Sequence, residues 1–109
     1  MNRKAEIKVI RIPHERMIYE QLEGIDREWS EYLKEGFKKF IIDMSMVGFM
    51  DSASIGCLMN FYRRVRGVGG QIHLAGVRPR IETLLGIVKA KSLFGIYRSV
   101  EDAQAAFGE

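Results

Sequence analysis

Residues Phe40–Met59, FIIDMSMVGFMDSASIGCLM, decide how the rest of the chain is read. Phe40, Ile41 and Ile42 follow one another without a polar break, as in a strand covered on both faces. After Asp43 comes a short loop, Ser45–Phe49, and then Asp51 and Ser52, residue types that accept bonds from the free amides at a helix start. Ile55, Leu58, Met59, Tyr62 and Val65 then recur at helical spacing and should point inward. A buried strand followed by a loop and an apolar-sided helix is the beginning of a βαβ unit, which favours parallel pairing.

The same alternation extends in both directions. Ile7, Val9, Ile10 and Ile12 make a short β-branched run, closed by Pro13, which has no amide to donate. Ile18, Leu22, Ile25, Trp29 and Leu33 recur at steps of four, three, four and four, one stripe of a first helix that Gly36 stops. Phe37–Met44 is the second strand. Gly67, Gly69 and Gly70 end the second helix. Gln71–Val77 alternates, with Ile72 and Leu74 on one side and Gln71 and His73 on the other, so His73, like His14, reads as a surface residue. Pro79 suits the first turn of a third helix, with Ile81, Leu84, Leu85 and Val88 as its stripe. Leu93–Tyr97 is a last strand, and Ser99 caps a terminal helix with Glu101 and Asp102 in its first turn. The order βαβαβαβα predicts a small α/β domain over residues 1–109.

Composition removes several classes. The chain has 109 residues, of which 47% are hydrophobic and 28% charged, with two prolines, a balance suited to one modest core. One cysteine, Cys57, cannot form an internal disulfide, and with two histidines it cannot build the usual zinc clusters, so no metal is expected. No apolar run approaches the ~18 residues of a membrane helix. The start, MNRKAEIKVIRIP, lacks the apolar stretch of a secretory signal, so a cytoplasmic setting without membrane insertion is expected. The net charge of +3 hides an asymmetry: seven acids against three bases from Pro13 to Glu35, and eight bases against one acid from Ser52 to Arg98. That predicts an acidic and a basic side, suited to steering toward a charged partner.

Most candidate chemistry reduces to structure. Gly67–Gly70 (GVGG) closes a helix and precedes a strand, whereas phosphate loops follow a strand and open a helix. Cys57 lies in an apolar segment without an orienting third group, so it reads as a small buried apolar residue. Arg63, Arg64, Arg66, Arg78 and Arg80 come with no groove-reading helix and no stacking platform, since Phe61 and Tyr62 fit the core, so nucleic acid is not an expected partner. No convergent acid–base pair appears, so neither an enzyme nor a cofactor is expected. The helix start at Asp51–Ser52 is different. Its residues serve as caps, but two hydroxyls, Ser52 and Ser54, stand in the first turn beside Gly56. A phosphoryl group there would face unpaired amides and the positive helix end, and would add up to two negative charges to a docking surface.

FIIDMSMVGFMDSASIGCLM resembles the central segment of STAS domains, above all bacterial anti-sigma factor antagonists. Their pattern is an apolar strand, Asp, a short loop, an apolar residue and then Asp-Ser-Ser/Thr/Ala-Gly-Leu-Gly. The resemblance continues through GGQIHLAGVRPRIETLLGIVKAKSLFGIYRSVEDAQAAF, so that it spans Phe37 to Phe107. It implies a four- or five-stranded, mostly parallel or mixed sheet with about four helices, and a partner-switching function. In that family the unmodified antagonist binds an anti-sigma factor that is also a serine kinase and so frees a sigma factor. The kinase phosphorylates the Ser after the motif Asp, and a phosphatase reverses it. On this chain the implied acceptor is Ser52, beside Asp51. Asp43 matches the family's other recurrent acid, and Ser54, where the family has Gly, is a secondary acceptor. These four residues are the implied partner-binding set. The family's Gly-Glu-Leu-Asp element is absent, replaced by Pro13-His14-Glu15-Arg16, and the chain reads as too short at its start for the family's extra N-terminal strand. The alternative is an unphosphorylated STAS scaffold subunit of a transporter or sensory complex.

Overall fold

The unbroken run at Phe40–Ile42 needs cover on both faces, and the computed structural model, which describes residues 3–108 and so leaves residues 1, 2 and 109 of the expected span aside, supplies it. Along the chain come β1 (Ile7–Arg11), β2 (Arg16–Met17), α1 (Leu22–Lys34), β3 (Lys39–Asp43), β4 (Phe49–Met50), α2 (Ser52–Gly67), β5 (Gln71–Ala75), α3 (Pro79–Ile87), β6 (Gly95–Tyr97) and α4 (Val100–Ala105). The main sheet has the order β1-β3-β5-β6 and every pair is parallel. β2 and β4 form a separate two-stranded parallel pair, Arg16 opposite Phe49 and Met17 opposite Met50.

Strand alternation divides the core in two. Ile10, Phe40, Ile42, Ile72 and Leu74 face Trp29 of α1, Leu58, Phe61 and Val65 of α2, and Ile81 and Leu85 of α3. Phe40 is wholly buried and meets Phe61 edge-on at 5.1 Å, and Phe61 lies 4.8 Å from Trp29. Such aromatic pairs add about 1 kcal/mol each beyond the area they bury. The opposite face carries Ile41 and Ala75, covered by Ala103 of α4 with Val100, Tyr97 and Phe107 packed around them.

Three expectations change. The first helix does not include Ile18, which is extended and precedes a 3₁₀ turn at Tyr19–Gln21. Gln21 Oε1 accepts the Ile18 amide at 3.0 Å, and the Asp51 carboxylate accepts the Tyr19 amide at 2.9 Å, so these bonds hold the segment out of the helix. His73 is buried, not on the surface. Its ring stacks on Phe107 at 3.7 Å, and Nδ1 lies 3.1 Å from the Ala103 carbonyl oxygen, because α4 covers the strand side that alternation alone would leave to water. Val88 falls beyond α3 and is 43% exposed. The acidic and basic halves also meet: Arg64 of α2 lies 3.5 Å from Asp26 of α1 and donates to Ser30 Oγ at 3.0 Å.

The ends of the helices follow sequence rules. Pro79 opens α3, and Ser99 Oγ accepts the Asp102 amide at 3.1 Å to cap α4. Past α2, Gly69 takes φ +79° and the Gly70 amide reaches back to the Val65 carbonyl at 2.9 Å. α3 ends in the same way, with the Ala90 amide on the Leu85 carbonyl at 2.8 Å, but the left-handed position belongs to Lys89, φ 61°. A side chain is strained there, so Lys89→Gly should stabilise the fold by about 0.5–1 kcal/mol, read as a higher urea midpoint with unchanged slope.

Candidate functional site

The site grows from the start of α2. Asp51 is extended (φ −86°, ψ 175°) and is the N-cap, its Oδ1 accepting the Ser54 amide at 2.8 Å. Its Oδ2 takes the Tyr19 amide, from a segment far away in sequence. The Asp51 amide itself donates to the Met17 carbonyl at 3.3 Å. Ser54 heads the buried stripe Ser54, Leu58, Phe61, Val65, and its hydroxyl donates to the same Met17 carbonyl at 2.7 Å. The helix start is therefore sewn to Met17 and Tyr19 by three hydrogen bonds, besides its own cap bond from the Ser54 amide to Asp51.

Ser52, by contrast, is exposed at the first helical position. The Ser52 and Ala53 amides have no acceptor within the helix, as in any first turn, and point with the positive end of the helix dipole. An anion on the Ser52 side chain would sit against groups that already favour it.

The expected site residues thus separate. Asp51 and Ser52 lie together at the surface. Ser54, the secondary acceptor suggested by its position, is wholly buried with its proton committed to Met17, so its hydroxyl is structural in this fold. Asp43 is half-buried at the end of β3, and its Oδ1 accepts the Ser45 amide at 3.0 Å, which shapes the loop toward β4. Among the described residues it shares no hydrogen bond with Asp51 or Ser52. Cys57 is partly buried, not enclosed, and burial, then Asp26, pushes its thiol above the usual range, the reverse of a reactive cysteine.

Sequence reasoning missed the surroundings of the site. Arg78, the residue before α3, donates through Nε to the Ser45 carbonyl at 3.0 Å and lies 3.7 Å from Glu15, tying the β3–β4 loop to the segment before β2. Arg16 places its guanidinium 4.2 Å from the Phe49 ring centre. Pro13-His14-Glu15-Arg16 therefore belongs to the wall beside the helix start.

Hydrogen bonding from Ser54, and then from the Tyr19 amide, holds the Asp51 carboxyl below its ordinary value of 3.8. With the hydroxyl proton on Met17, the two amides carry this effect. A carboxyl lowered in the folded state contributes stability above its unfolded value, and that contribution is lost as pH falls through the folded one. Wild type should therefore melt several degrees above Asp51→Asn at pH values above about 5, with the gap closing as the solution is acidified below 3.8. Parallel thermal scans of the two proteins across that range check it.

Comparison with known proteins agrees with this architecture. The family model described as the STAS domain matches residues 1–103. A Thermotoga neapolitana protein, described as a candidate anti-sigma factor antagonist homologous to TM1081, is 29% identical over 101 residues, covering 91% of this chain and 88% of that protein. An anti-sigma-factor antagonist (STAS) domain protein from Planctomyces limnophilus superposes with a TM-score of 0.86 at 21% identity, over 97% of this chain and 94% of that one. The phosphorylated form of the Bacillus cell fate determinant SpoIIAA gives a TM-score of 0.75 at 19% identity, over 94% and 92% of the two chains. With a family model spanning nearly every described residue and a fold that superposes on these structures, the chain belongs to the STAS domain family.

Proposed function

We propose that this chain is an anti-sigma factor antagonist that works by partner switching. Unmodified, it docks an anti-sigma factor with serine kinase activity through the surface around the start of α2. A phosphate on Ser52 ends the docking, and a phosphatase restores it. The observation that carries this reading is the exposure of Ser52 at the first position of a helix whose cap, Asp51, is already fully engaged. The names of the relatives support the class, and the likeness to phosphorylated SpoIIAA supports a fold able to carry phosphate.

The division of labour follows from the geometry. Asp51 holds its carboxylate against two amides and is a weak base, so it positions the helix start and does not take the Ser52 proton. The kinase supplies the base and the ATP, and this chain supplies the acceptor oxygen. Because Met17 and Tyr19 pin the helix start, the phosphate acts by its charge and bulk on the partner, without needing a rearrangement of this chain.

Incubation with ATP and a purified serine kinase of the anti-sigma factor type tests the acceptor. Wild type should take up one phosphate per chain, and Ser52→Ala none. Undiminished labelling of Ser52→Ala would overturn the assignment.

A further inference from the structure

Beside the helix start, between β4 and α3, the surface opens into an apolar groove of about 370 Å³. Buried Met50 and Ile81 form its floor, and Phe49, Leu84 and Ile87 its walls. Ile87 is 72% exposed, the most exposed large apolar side chain among the described residues. Ile87 does not stand alone: with Phe49, Met50, Ile81 and Leu84 it makes one contiguous apolar surface, the kind that marks an interaction site.

The rim is cationic. Arg80 lines the groove, and Arg16 stacks on its Phe49 wall. Neither forms an ion pair among the described residues, whereas Arg78 nearby is matched by Glu15. Among the described residues, no acid lines the groove. Leu84 and Ile87, three apart on α3, form a ridge of the kind a second helix packs against.

From this, we infer that the groove seats an acidic amphipathic helix of the docked protein, its apolar stripe on Met50, Ile81, Leu84 and Ile87 and its carboxylates on Arg16 and Arg80. This deepens the docking reading above and rests on it. It also gives the switch a physical form: Ser52 lies two residues beyond Met50, so a phosphate there adds negative charge beside the place where the occupant's carboxylates sit.

The test titrates the isotope-labelled full chain with a synthetic helical peptide of about 14 residues, roughly four turns, carrying leucines on one face and glutamates on its flanks. A second peptide replaces every glutamate by lysine. Backbone chemical shifts should move at Phe49, Thr83, Leu84 and Ile87, and the acidic peptide should bind at least about tenfold more tightly than its lysine counterpart. Arg16→Glu and Arg80→Glu should each weaken the acidic peptide by about fivefold, and the double variant should prefer the lysine peptide. Ile87→Glu should weaken the acidic peptide by at least about tenfold. All three positions are exposed, so Arg80→Glu and Ile87→Glu should keep the wild-type melting temperature, and Arg16→Glu should lose only the few degrees that its contact with Phe49 is worth. Equal binding of the two peptides, shifts elsewhere on the molecule, or no shifts up to about 1 mM peptide would overturn the proposal. So would light scattering that shows a second copy closing the groove, or a fatty acid such as laurate binding there more tightly than the peptide. Ser52→Asp separates this inference from the switch. Peptide bound normally by wild type while full-length partner ignores Ser52→Asp would leave the groove and remove the switch. The reverse pattern would leave the switch and remove the groove.

Discussion

Ser52→Asp should weaken binding of the anti-sigma factor by at least about 100-fold, because like charges brought together in an interface cost several kcal/mol. The phosphorylated protein should lose more, since phosphate carries up to about two charges and a larger volume. Fold stability should move the other way. Ser52 is exposed at the positive end of α2, so a carboxylate there should add about 0.3–1 kcal/mol, and the melting temperature should hold or rise. Ser52→Ala should bind as wild type does. Calorimetric titrations of the three proteins and of the phosphorylated form against one anti-sigma factor measure all of this. Superimposable isotherms for bare and phosphorylated protein would refute the switch. Loss of binding together with a lowered melting temperature would trace the effect to damage at the helix start.

Gly70→Ala should destabilise the fold by about 2–3 kcal/mol, a fall of roughly 10 °C in melting temperature, because an added methyl in a filled site forces its surroundings apart. A Cβ at Gly70 would overlap the Lys38 carbonyl oxygen and come within 2.8 Å of Val65 Cγ1. That carbonyl, one residue ahead of β3, is held by the Gln71 amide at 2.8 Å, so it cannot step aside without loosening the start of the β3–β5 pair. Gly69, one residue earlier, takes its left-handed turn with open space around it, so Gly69→Ala should cost only the backbone strain, about 1 kcal/mol. Urea denaturation of both variants checks the order. The pair also separates a helix stop from a phosphate loop: the damage should appear in stability, with binding of inorganic phosphate absent in wild type and variants alike.

The fold was legible because its signals are local and repeated. Phe40–Ile42 announced a strand buried on both sides, Pro79 and Ser99 marked helix starts, and Asp51 stood where a cap belongs. What escaped the sequence depends on contacts far apart along it. β2 and β4 have two residues each, too short for any period, so the wall they form beside α2 left no trace. His73 alternates like a surface residue, and only the placement of α4 over that side buries it. Ser54 did carry a signal. It stands four residues before Leu58 and seven before Phe61, the inward positions of α2, but a hydroxyl heading an apolar stripe reads as a surface residue until Met17 supplies its acceptor. Ile18 shares the spacing of α1, and the carboxylate of Asp51 overrides it from across the fold.

Since each neighbouring pair in β1-β3-β5-β6 runs the same way, no hairpin can start the sheet, and every strand contact waits for a crossover to be made. Refolding should accordingly take on the order of milliseconds or longer. During translation the delay is greater, because Gly95–Tyr97 and α4 leave the ribosome after the other strands of the sheet. Until they do, the outer edge of β5 has no neighbour and Ile41 and Ala75 have no lid. The docking of α4, with His73 stacked on Phe107, closes that window, and a chain halted before it would present an open strand edge and an uncovered apolar face.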